Sequence, residues 1–119
     1  MATINLTSIT VDDKELWSSV MGAGWETWDW WRRIRYADGT DWETPGKVLV
    51  AVADPDDEDQ RVAKTITVDD LARAVSVAIE KNYNGSMGCM TNWLSFEDYD
   101  ACAADVIMQI AVLGDVVYG

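Results

Sequence analysis

Three arginines and five tryptophans crowd the stretch from Trp17 to Arg35, and in this 119-residue chain they are the residues best suited to hold a ligand. Arg32, Arg33 and Arg35 are three of nine basic residues; Trp17, Trp25, Trp28, Trp30 and Trp31 are five of seven tryptophans. An aromatic plane beside guanidiniums suits a nucleobase and its phosphate. Stacking contributes ~1–3 kcal/mol per base, and arginine offers paired N–H donors to phosphate oxygens. The same residue types dominate protein hot spots. They also suit a core in which arginine stems lie over buried indoles and pair with nearby acids. Each indole can bury ~150–250 Å², so a core of this size does not readily absorb all seven with their N–H donors.

Signals for catalysis are weak. The chain has no histidine, the commonest general base near neutral pH. The acidic run Asp54, Asp56, Asp57, Glu58 and Asp59 reads as an exposed turn at 54–60, where nothing would desolvate a carboxyl group. It also lacks the ligand spacing of a calcium loop. Ser18, Ser19 and Ser86 have no neighbouring base. Gly22, Gly24, Gly85 and Gly88 make neither a P-loop nor a dinucleotide fingerprint. Cys89 and Cys102 are far from a CxxC spacing and read as free thiols of a cytoplasmic chain; without histidine they do not complete a zinc site. A binder is expected, with no catalytic residue, no metal and no cofactor.

The net charge of −12 excludes a nucleic-acid backbone as partner, since that needs a basic footprint. It disfavours anionic membranes and steers the chain toward basic partners. No apolar run reaches the ~18 residues of a membrane span. No basic segment precedes an apolar one at the N-terminus, so no signal peptide is read.

The elements that must position these residues follow from periodicity. Residues 2–10 alternate as a strand with a slip near Ser8. Asp12 and Asp13 open a short helix with Leu16, Trp17, Val20 and Met21 on one face, stopped by Gly22 and Gly24. Residues 26–36 read as a strand. One face carries Trp28, Trp30, Arg32, Ile34 and Tyr36, and the other Thr27, Asp29, Trp31, Arg33 and Arg35. Trp28, Trp30, Ile34 and Tyr36 are then core, and Trp31, Arg33 and Arg35 form the candidate binding face. Asp38-Gly39 and Pro45-Gly46 mark turns. Residues 47–53 form a central strand, and 61–67 pair with it. Thr67 with Asp70 makes a capping pattern for a helix whose stripe is Leu71, Val75, Ala78 and Ile79, ending at Asn82–Gly85. Residues 83–95 form a loop holding Trp93. Ser95 and Asp98 cap a last helix at 96–113, stopped by Gly114, and residues 116–118 can add a closing strand. The expectation is one α+β domain over 1–119: a small antiparallel sheet with two to three helices packed on one face.

Two segments carry a resemblance: Met21-Gly-Ala-Gly-Trp-Glu-Thr-Trp28, and the tail from Asp98 to Gly119 with Asp105, Gln109, Gly114, Asp115, Tyr118 and Gly119 in register. Together they resemble a widespread group of small bacteriophage proteins with an early Glu-Gly-Gly…Tyr-Trp element and an Asp-Ala-Asp…Gln…Phe-Gly-Glu…Val-Tyr-Gly ending. Here Met21 stands where the group has Glu, Ala23 separates the glycines, and Leu113 replaces Phe. The chain is also similar to Thoeris anti-defence sponges, which sequester cyclic nucleotide-like immune signals as oligomers. The resemblance implies action in a bacterial host's cytoplasm, a small nucleotide ligand and a homo-oligomer. The candidate ligand-binding set is then Trp31, Arg33 and Arg35, with Trp25, Trp93 and Gln109. The competing reading is an acidic inhibitor of a host protein, a DNA mimic for example. A metal-dependent hydrolase built on the acidic run is the third class.

Overall fold

Carboxylates cap the start of each α-helix among the described residues of a computed structural model, which describes residues 2–4, 9–81 and 92–118. The Asp12 carboxylate accepts from the backbone N–H groups of Lys14 (2.8 Å) and Glu15 (3.1 Å), opening α1 (Asp13–Met21). Leu16, Trp17, Val20 and Met21 are buried, as their spacing predicts. Gly22 is the C-terminal cap, and Trp42 closes over it: a Cβ there would lie 2.7 Å from the Trp42 ring. Trp17 Nε1 donates to the Asp41 carbonyl (2.7 Å) and ties the same loop to the helix. Before α1, the strand expected over 2–10 is instead a hairpin. β1 (Ala2–Ile4) and β2 (Ile9–Val11) pair antiparallel, with Ala2 opposite Val11. Alternation along the sequence does not distinguish one strand from two that fold back on each other.

β3 (Trp31–Tyr36), β4 (Val48–Asp54) and β5 (Asp57–Ile66) form an antiparallel sheet in that order. β3 begins five residues later than alternation suggests. Gly24, at φ 86°, turns the chain into a single 3₁₀ turn at Trp25–Thr27. The acidic run is not a wide turn either. Only Pro55 and Asp56 turn, with Asp54 accepting from the Asp56 N–H (2.9 Å), and Asp57–Asp59 already belong to β5.

The capping pattern of α2 (Val68–Lys81) is present: Thr67 donates to the Asp70 carboxylate through its N–H (2.9 Å) and hydroxyl (3.2 Å). Leu71, Val75 and Ala78 are buried and Ile79 is half-buried. The last helix is shorter than expected. Phe96–Asp98 form a 3₁₀ turn, Tyr99 is extended (ψ 128°), and α3 (Ala101–Leu113) starts afresh with Asp100 accepting from the Ala103 N–H (2.9 Å). Every residue from Ala103 to Val112 is buried. α3 is thus a central helix buried all round, apolar except for Asp105 and Gln109, rather than a striped surface helix. It lies against α1, α2, β5 and the Trp25–Thr27 turn. Gly114 ends it at φ 85°.

The helices cover the sheet face carrying Val48, Val50, Val52 and Ile66, all buried. The fold is therefore α+β, a small antiparallel sheet with three helices among the described residues, packed on one face. No helix among these residues is long and apolar enough to cross a membrane. Cys102 is disulfide-bonded rather than a free thiol, because spatial approach and not sequence spacing decides pairing. Cys89, the expected helix end at Asn82–Gly85 and most of the following loop lie outside the described residues.

Candidate functional site

A bulge divides the arginine–tryptophan segment between two faces. Trp31 pairs with Val52, yet Arg33 pairs with Ala51, so β3 carries one extra residue at this point. Downstream of a bulge the side-chain alternation changes sides. Trp31, opposite the buried Val52, turns into the core and is 8% exposed, together with the half-buried Ile34 and Tyr36. Arg33 and Arg35 point from the other face. The expected trio is thereby split.

What joins the two arginines instead is a set of residues from neighbouring strands. Across the sheet Arg33 lies level with Ala51 and Ala63, and Arg35 with Leu49 and Thr65. Arg61 stands opposite Ala53, and Lys47 precedes β4 on the same side. Arg35, Lys47, Leu49 and Thr65, with Tyr36 and Ala37, line a shallow open cleft of about 320 Å³. Between Leu49 and Ala53 of β4, Arg61 and Thr65 of β5, and along β3 from Arg33, the outward positions hold no carboxylate; those of β5 begin at Asp59. Among the described residues none of Arg33, Arg35, Lys47 and Arg61 makes an ion pair. A molecule of net charge −12 thus keeps four of its nine cations together and unneutralised. Lys47 and Arg61 escape a reading of the sequence because only strand register brings them beside Arg33 and Arg35.

A second cavity of about 360 Å³ lies between α2, β5 and the end of α3. It is the weaker candidate because its cations are engaged. Lys64 Nζ donates to the Ala111 carbonyl at the end of α3 (2.9 Å) and lies 3.8 Å from Asp70, which also pairs with Arg73.

On the core side, the tail residues form a polar network. Asp105 Oδ1 accepts from both Trp30 Nε1 (2.8 Å) and Trp31 Nε1 (2.6 Å), and its Oδ2 accepts from Gln109 Nε2 (2.8 Å). Burial pushes the Asp105 carboxyl above its ordinary range, against the pull of those three donors. Gln109 also donates to the Tyr118 carbonyl (3.0 Å) and accepts from the N–H groups of Val117 and Tyr118 (2.8 Å each). Its side chain takes up the tail's backbone groups, and residues 116–118 form no strand. Gln109 is fully buried, and its four hydrogen-bonding positions are taken.

The network holds up an aromatic ladder. Tyr118 stacks on Trp30 (5.5 Å, 9°), and Trp30 on Trp28 (5.4 Å, 8°). Trp28 is 39% exposed. The expectation that Trp28 and Trp30 are core therefore fails for Trp28: both precede β3, so strand alternation does not govern them. Trp25 is buried and packs edge-on against Trp31 (4.7 Å, 81°). Trp93 is buried against Tyr99, far along the chain from the arginines. The indole N–H groups of Trp25 and Trp93 make no hydrogen bond among the described residues. Of the six candidate residues, Arg33 and Arg35 stand on the outer sheet face. Trp31 and Gln109 are joined through Asp105, Trp25 packs on Trp31, and Trp93 stands apart.

Comparison with protein-family models, curated proteins and solved structures finds no match to this chain.

Proposed function

We propose that the chain is a non-enzymatic bacteriophage protein that counters host defence in the bacterial cytoplasm by sequestering a cyclic nucleotide-type immune signal. The observation that supports it most is the set of cations Arg33, Arg35, Lys47 and Arg61 on the outer sheet face, none of them in an ion pair among the described residues. Guanidiniums bind phosphate oxygens with paired donors, and exposed Leu49 with Tyr36 offers apolar surface to a base. Sequestration needs affinity and no chemistry. The cleft is shallow in one copy, and a homo-oligomer that closes a second copy over it would enclose the ligand.

Thermal unfolding against a panel of cyclic nucleotides and cyclic ADP-ribose isomers tests this reading. A ligand at about 100 times its dissociation constant adds ~2.7 kcal/mol to stability, so a binder raises the melting temperature. No shift across the panel sinks the proposal. The second reading, an acidic inhibitor of a host protein, draws on the charge of −12 and the exposed Asp56–Asp59 run. It calls for salt-sensitive binding to a host nucleic-acid enzyme and no nucleotide-dependent shift.

A further inference from the structure

We propose that Asp105 is a proton-operated latch for the tail: ionised, it holds residues 116–118 against α3, and on taking up a proton it lets them go. The latch is built from hydrogen-bond polarity. A carboxylate only accepts, and the three partners of Asp105 all donate. Trp30 Nε1 (2.8 Å) and Trp31 Nε1 (2.6 Å) meet Oδ1, and Gln109 Nε2 (2.8 Å) meets Oδ2. The last contact fixes which way round the Gln109 amide lies. Its nitrogen faces Asp105 and the Tyr118 carbonyl (3.0 Å), so its oxygen faces the N–H groups of Val117 and Tyr118. Three bonds to the tail thus depend on the charge state of one buried carboxyl.

A proton taken from water reverses the polarity of one oxygen. Both acceptor positions of Oδ1 are filled by indoles, so the proton goes to Oδ2, whose new O–H needs an acceptor. The Gln109 amide supplies one by turning over. Its N–H groups then point at those of Val117 and Tyr118, and the Tyr118 carbonyl loses its donor. Buried donors left facing donors carry their full desolvation cost, so the tail leaves and Tyr118 comes off Trp30. Losing the Gln109 donor in turn makes the carboxyl more basic, so release and proton uptake favour each other. Burial already holds the Asp105 carboxyl above the ordinary range, so release comes at a higher pH than an ordinary aspartate would give. The other charged groups on the elements packed against α3 are exposed or engaged elsewhere. Lys14 and Glu15 of α1, Glu26 of the Trp25–Thr27 turn, and Arg73 and Glu80 of α2 are exposed, as are Asp57–Asp59 and Arg61 of β5. Asp13 lies in the first turn of α1, Asp70 is held by Thr67 and Arg73, and Lys64 donates to the Ala111 carbonyl. Arg32, Asp54 and Glu58 act on the Tyr118 phenol, whose raised pKa keeps it protonated throughout the acid range. One ion pair also touches the tail, Lys81 with Asp115 (3.2 Å).

The latch does not rest on nucleotide sequestration. Its test is NMR of the full ¹³C,¹⁵N-labelled chain, followed from neutral pH down through the carboxylate range. The Asp105 carboxyl carbon reports its proton, and backbone order parameters report the tail. Those of Val117 and Tyr118 should fall from about 0.85, the value of rigid backbone, to below about 0.6. The midpoint should match that of Asp105, with α2 and β4 unchanged. Asp105→Asn, which puts an N–H donor in place of Oδ2, should free the tail at neutral pH and abolish the transition. Asp115→Asn, which removes the Lys81 pair, should leave the transition in place. Where Asp105→Asn fails to fold, the native titration decides alone. A tail that stays rigid while Asp105 titrates, or a native chain that unfolds before Asp105 takes up its proton, would overturn the proposal. So would an Asp105→Asn chain whose tail is held at neutral pH, or a transition lost in Asp115→Asn.

Discussion

Trp25 and Trp31 are both buried and touch each other edge-on, but they differ at one atom. Trp31 Nε1 donates to Asp105 at 2.6 Å, whereas the Trp25 N–H has no hydrogen-bond partner among the described residues. Replacing either by phenylalanine removes a similar ring area, so the difference isolates the hydrogen bond. Trp31→Phe should destabilise the protein by roughly 1–3 kcal/mol more than Trp25→Phe in denaturant unfolding, the range for a buried bond to an ionisable group. Equal losses would mean that Asp105 does not anchor the indole. At this scale the sequence was legible in residue type and not in role. Tryptophan and arginine stood out by count, and the tail residues by resemblance. That Asp105 gathers two indoles from over seventy residues away, while Gln109 holds the tail, depends on tertiary placement that no local pattern records.

Among the elements, the caps of the first two helices were legible, because a cap acts within a few residues, whereas the Ser95–Asp98 pattern caps no helix and Asp100 takes that role. The Thr67–Asp70 pattern forms as read. Burial pushes the Asp70 carboxyl up, but the Thr67 N–H, Arg73, the Thr67 hydroxyl and Lys64 together hold it below the ordinary value of 3.8. A depressed folded-state pKa contributes stability that is present above 3.8 and lost as the pH falls through the depressed value. Asp70→Asn should therefore cost about 1 kcal/mol at neutral pH, and the cost should shrink as the pH is lowered through the carboxylate range. Asp105 has the opposite sign. Its raised pKa means the native state takes up a proton more readily, so its contribution becomes more favourable as the pH falls through the raised value. Gly114 is a second element-scale test. Open space surrounds it, yet φ is +85°, so Gly114→Ala should cost about 1–2 kcal/mol through backbone strain alone. The bulge in β3 was not legible, since alternation counts residues and a single inserted one reverses every assignment beyond it. That moved Trp31 into the core and left Arg33 and Arg35 outside.

For the whole molecule, the acidic balance was plain from composition, but its distribution was not. Carboxylates crowd the β4–β5 hairpin, while four cations gather unpaired on the open sheet face. Register across three strands creates that separation. The sequence disclosed only the Arg33 and Arg35 part of it. A face of this kind attracts a small anion at close range, even though the molecule as a whole repels long polyanions. Isothermal titration calorimetry with the panel nucleotide that most raises the melting temperature tests this most directly, comparing the native chain with Arg33→Ala/Arg35→Ala. The cationic-face account predicts saturable binding to the native chain, at least about tenfold weaker in the double variant, from the loss of charge-assisted hydrogen bonds. Equal affinity in the two proteins, or no binding by the native chain, would contradict it.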